Sequence, residues 1–185
     1  MSPHFEHLLT RHCAPAIMGA KVSNLVMVSK EDYPDIDEIL KHYNILFSKR
    51  KLKFAALKES AYKHGILVYN QDMMAELLEC PRIRQFLKNY GYDLCLNSQD
   101  CIKRLKERLQ NGKEFPHEIG VFLGYALDDV DCFIKHKGKH YTFCGYWKVY
   151  DNPEEKMETF KRYDRCREAL ETQLDNHGSL QKALH

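Results

Sequence analysis

The sequence predicts one domain over residues 1–185 of the α/β (or α+β) class: a small mixed sheet of about four strands flanked by helices. Three observations carry this. At 185 residues, 44% hydrophobic and 29% charged, the chain can build one full core and has little room for a second. Stretches with helical spacing of apolar residues alternate with short β-prone runs. No repeat, low-complexity segment or linker interrupts the series.

The first element reads as a helix, with Ser2 as cap, Pro3 at the first helical position, and Phe5, Leu8, Leu9 and His12 on one face. Pro15 disfavours helical geometry at Ala14, so this helix is expected to stop near Cys13. Asn24–Ser29 is a buried strand, and Tyr33–Phe47 a helix with Asp35 and Asp37 near its start. Lys53–Leu57 and Ile66–Tyr69 read as two strands of a hairpin, with Gly65 supplying the turn.

Two short helices, Asp72–Leu78 and Ile83–Tyr90, follow on either side of Pro81. Ser98 caps a further helix to Gln110, closed by Asn111-Gly112. The run Phe115–Tyr125 fits a strand or a short buried helix, and is too short for periodicity to decide. A helix then starts at Asp128 and ends at Gly138; Tyr141–Tyr150 is aromatic and β-prone; Asn152-Pro153-Glu154-Glu155 opens a last helix along Met157, Phe160, Tyr163 and Leu170.

Several function classes are disfavoured at this level. The formal charge of +2 gives no whole-chain electrostatic case for nucleic acid or an anionic membrane. Lys103, Arg104, Lys106 and Arg108 alternate with Ile102, Leu105 and Leu109, the pattern of the wet side of an amphipathic helix. No apolar run approaches the roughly 20 residues of a membrane span, and the first residues lack the features of a signal peptide. A cytoplasmic protein is the expectation. The seven cysteines are scattered without a Cys-x-x-Cys pair, which speaks against a disulfide framework or a closed zinc site.

The chemistry-bearing candidates begin with His12-Cys13-Ala14-Pro15, where Cys13 lies at a local break. A reactive thiol needs a base or positive potential beside it. Adjacent residues on a helix point apart, so His12 is poorly placed to serve, and His117, with Glu118 beside it, is the candidate base. Two opposite outcomes follow from the backbone at Ala14. A helix ending at Cys13 raises the thiol pKa, whereas a helix starting at Pro15 activates it.

The same donors, His12, Cys13 and His117, make an alternative set for iron or haem, although the sequence requires no cofactor. Lys21 and Asn24, together with Trp147 and Lys148, are the candidate contacts to a small polar or anionic ligand. Gly145 in a strand marks a bulge or close approach. His136 and His140 sit on a charged turn, Gly120 and Gly124 suit close packing, and Asp128, Asp129 and Asp131 read as an acidic first helical turn.

Four stretches together resemble a bacterial family of uncharacterised proteins, domain of unknown function 3793. They are His12–Pro15 with Gly19, Lys21, Asn24 and Leu25; Phe115–Tyr125; Asp129-Val130 with Phe133-Ile134 and Gly138; and Cys144–Tyr150. The family pattern has proline where this chain has Ala126 and glycine where it has Cys132. The resemblance implies no activity, fold or ligand. It groups His12, Cys13, Lys21, Asn24, His117, Glu118 and Lys148 as motif positions. From the residues, the leading expectation is a thiol-dependent site, hydrolytic, transferring or redox, with Cys13 and His117 at its centre. An iron or haem handling protein and an adaptor with purely structural motif residues are the alternatives; whether the chain is an enzyme stays open, as does its oligomeric state.

Overall fold

Phe5, Leu9 and Cys13 recur one turn apart and form a fully buried stripe along α1 (Pro3–Ile17). The computed structural model describes residues 3–95, 97–112 and 114–184; the cap expected at Ser2 lies outside them. Contrary to expectation, α1 runs through Pro15. Proline removes the N–H that would donate one turn back, but only Ala16 and Ile17 follow it in the helix, so little of the helix lies beyond the break. The last turn is held from outside: Ala16 N–H donates to Asn24 Oδ1 at 3.1 Å, while Ala20 and Lys21 N–H donate to Pro15 O at 2.8 and 3.0 Å. Gly19, at φ 73°, lets the chain reverse.

Next come β1 (Ser23–Ser29), α2 (Ile36–Leu46), β2 (Leu52–Glu59) and β3 (Lys63–Asn70). The strands lie in the order β1-β3-β2, and both pairings are antiparallel. The expected combination of helices with a small sheet is therefore present, but more helical than the sequence suggests and with an antiparallel sheet where a mixed one is expected. The β2–β3 turn is made at Ser60, whose N–H and Oγ both engage Lys63. Gly65 instead lies inside β3, opposite the bulge between Ala56 and Lys58.

Central β3 is covered on both faces. Its Ile66 and Val68, with Val26 and Val28 of β1, pack under α1 and α2; its Leu67 and Tyr69 belong to the core on the other side. That second core is built by α3 (Gln71–Glu79), α4 (Pro81–Lys88), α5 (Ser98–Asn111) and α6 (Ile119–Phe122). The α5 cap is Asn97, accepting from Asp100 N–H at 3.0 Å, rather than the expected Ser98. The ambiguous run 115–125 resolves as the four-residue α6, all of it buried.

The chain continues through α7 (Leu127–Lys135), β4 (Phe143–Cys144), β5 (Lys148–Val149), α8 (Pro153–His177) and α9 (Leu180–Ala183). The aromatic stretch 141–150 is thus a two-by-two hairpin, not one long strand, because Gly145, Tyr146 and Trp147 form its tip. The far half of α8 lies against α1, contributing Leu170 and Leu174 to its core. The near half contributes Phe160 and Tyr163 to a third cluster with Trp147 and Val149.

Candidate functional site

Where α6, α7 and the β4–β5 hairpin meet, they enclose a cavity of about 350 Å³. Its lining includes Phe115, His117, Tyr125, Asp129, Phe133, Cys144, Trp147 and Lys148, with Leu25 from the sheet. Residues from all four motif stretches therefore converge here. Gly120 permits this arrangement. A Cβ there would sit 2.8 Å from Val130 Cγ2, so any side chain would push α7 away from α6.

Trp147 is the centre of the wall. Its indole stacks on Tyr125 with centroids 4.8 Å apart, meets Phe160 edge-on at 4.5 Å, and donates Nε1–H to Asp129 Oδ2 at 2.7 Å. The other oxygen of Asp129 accepts from Tyr150 N–H at 2.8 Å. Asp129 is only 2% exposed, so one carboxylate fixes the tryptophan and ties α7 to the chain leaving β5. The sequence pattern reads Asp129 as one of three first-turn acids. The available signal was its position one turn before Phe133, on the inner face of α7, whereas Asp128 faces out to Arg82 and Asp131 pairs with Lys135.

Lys148 also lines the cavity. Its ammonium donates to Gly138 O at 2.8 Å and lies 4.7 Å from the Tyr141 ring centroid and 5.8 Å from that of Phe133. Strict alternation would put Trp147 and Lys148 on opposite sides. Here Trp147 lies in the hairpin tip, and β5 is too short to impose alternation. His117 occupies the exposed rim, its ring 5.4 Å from Phe115 and 5.1 Å from Phe133. Cys144 pairs across the ladder with Lys148.

Glu118 takes no part in the cavity lining. At 1% exposure it accepts from Arg108 Nε at 2.5 Å and from the Tyr92 hydroxyl at 3.2 Å, joining α5 to the start of α6. This pairing holds the Arg108 guanidinium against burial, raising its pKa. Glu118 thus anchors the backbone that presents His117 instead of orienting the imidazole.

Cys13 is elsewhere. It has no exposed surface and packs in the core beneath α1, whereas His117 stands on the far side of the sheet. Burial pushes the Cys13 thiol up to about 12, with Lys21 opposing weakly. Because α1 continues past Pro15, Cys13 sits near the negative end of a helix, the unactivated of the two outcomes. The expected Cys13–His117 pairing is corrected on this geometry. His12 points outward from α1, its imidazole held below its ordinary range by partial desolvation and by Arg11. His12, Cys13 and His117 therefore share no common site for iron or haem. Among the described residues no group of three His, Cys, Asp or Glu side chains is placed to hold a metal ion.

Lys21 and Asn24 also lie apart from the cavity lining. Asn24 secures the Pro15 turn as described above. Lys21, 4% exposed, faces the rings of Tyr125 and Tyr163 at 5.1 and 5.8 Å, and among the described residues no carboxylate pairs with it. Burial lowers its pKa to about 8, with Cys13 opposing. The candidate residues thus separate by place: His117, Trp147 and Lys148 line the cavity, Cys13, Lys21, Asn24 and Glu118 are buried in the frame, and His12 lies on the surface of α1.

An α+β frame carrying an aromatic-walled cavity between two short helices and a hairpin is the class of protein so defined. The chain belongs to the family described as protein of unknown function (DUF3793), whose family model matches residues 9–184 and so takes in all four motif stretches. No curated protein and no solved structure matches the chain. Among the described residues no helix is long and apolar enough to cross a membrane.

Proposed function

We propose that this protein binds a small, flat, largely apolar molecule carrying one anionic group in the cavity between α6, α7 and the hairpin. The observation that carries this reading is the composition of the lining. Five aromatic side chains face the space, and its lining residues include one lysine and no arginine. Stacking on Phe133, Tyr125 or Trp147 suits a planar ring. Lys148 spends one of its three N–H donors on Gly138 O, leaving two for a carboxylate or similar group. The Asp129 oxygens already accept from Trp147 and Tyr150, which directs ligand charge to the Lys148 side, with His117 at the rim.

Calorimetric titration with naphthoate and its neutral isostere naphthamide tests the reading. A charge-assisted hydrogen bond is worth about 1.5–3 kcal/mol, so naphthoate should bind about 10- to 100-fold more tightly. Lys148→Met should remove that preference while leaving naphthamide unchanged. Absence of naphthoate binding, or equal affinities for acid and amide, refutes the proposal.

A further inference from the structure

Away from this cavity, a second cleft of about 730 Å³ lies between α3, α4 and the start of α5, and two cysteines line it. Cys95 precedes α5 and is half-buried; Cys101 is in the first turns of α5 and is 8% exposed. The two side chains line the same cleft and lie within reach of one another. The chain has seven cysteines, and both of these are free thiols.

We infer that Cys95 and Cys101 form a reversible intramolecular disulfide with low-molecular-weight disulfides as the oxidising class. Cys95 is the more accessible of the two thiols, so it is the attacking sulfur. Cys95 thiolate attacks one sulfur of the incoming disulfide, whose S–S bond breaks and releases one thiolate. Cys101, losing its proton, then attacks Cys95 Sγ; the mixed disulfide breaks and the second small thiolate leaves. Two cysteine thiols are oxidised, one small disulfide is reduced to two thiols, and the two cysteine protons end on them.

The surroundings set the rate. Burial pushes both thiols up, Cys101 to about 12. Asp100 and Asp93 add to this for Cys95, while Arg104 opposes it; Arg84 opposes it for Cys101. Exchange is therefore slow at neutral pH and quickens as the pH rises.

The test is incubation of the folded, full-length chain with glutathione disulfide at mildly alkaline pH, followed by acid quench, intact mass and peptide mapping. The expected product is lighter by two hydrogens, with a cross-linked peptide joining Cys95 to Cys101, and dithiothreitol reverses it. Cys101→Ser should lose the cross-link and trap glutathione on Cys95; Cys95→Ser should lose both. Circular dichroism of each variant establishes that it is folded. Failure of the cross-link to form in folded wild type, while exposed Cys80 and Cys144 react, overturns the inference. So does a product lacking two hydrogens that persists in Cys101→Ser.

Discussion

Replacing Asp129 by alanine should loosen the wall of the cavity and the fold together. The side chain removed satisfies two donors, the Trp147 indole N–H at 2.7 Å and the Tyr150 backbone N–H at 2.8 Å, from a position 2% exposed. A buried donor stripped of its acceptor costs about 1–3 kcal/mol. The indole N–H is buried and should lie near the top of that range; the Tyr150 N–H is partly buried and can recruit water. The sum is about 3 kcal/mol, or a fall of about 6–12 °C in Tm for a chain of this size. Trp147 is the chain's one tryptophan, so its emission should shift to the red in the folded variant as the indole loses its anchor. Asp129→Asn separates charge from hydrogen bonding. Its oxygen still accepts one bond while its amide faces the second donor, so about half the loss should remain. If relief of a buried charge outweighed the hydrogen bonds, Asn would raise Tm. That result, or an alanine variant with wild-type Tm and emission, would refute the assignment.

Lys21→Met should stabilise the protein at neutral pH. The unfolded lysine has its ordinary pKa of 10.5 and the folded one about 8, so the unfolded state binds more protons between those values and wild-type stability rises with pH across them. Cys13, at about 12 folded against 9.0 ordinarily, works in the opposite sense from pH 9.0 upward. The methionine variant should therefore be more stable at pH 7 by about 2 kcal/mol after allowing for lost cation–π contacts, its advantage shrinking above pH 8. Urea midpoints at pH 7 and pH 9 check this, and a less stable variant at pH 7 contradicts it.

Iodoacetamide at neutral pH should label the exposed Cys80 and Cys144 in the folded protein and reach Cys13 only after unfolding, as read by peptide mapping. Early labelling of Cys13 would restore it as a reactive thiol. Asn24→Ala should cost about 1–3 kcal/mol by leaving Ala16 N–H without its acceptor, visible as a lower urea midpoint with the cavity's ligand affinity unchanged.

The features legible in the residues alone are mostly local. Periodicity located α2, α5, α7 and α8, and Pro81 marked the break between α3 and α4, because apolar spacing and cap chemistry act within one or two turns. The motif stretches 115–125, 129–134 and 144–150 also held the lining residues His117, Trp147 and Lys148. Tertiary structure decided the rest. The turn at Pro15 is held by Asn24, which reaches it from β1. Asp129 became an anchor only when the hairpin brought an indole N–H to it from 18 residues along the chain. Cys13 and His117 were parted by a sheet whose order, β1-β3-β2, depends on long-range pairing that no local pattern encodes. Residue chemistry is local, but which side chains meet is set by the packing of elements distant in sequence.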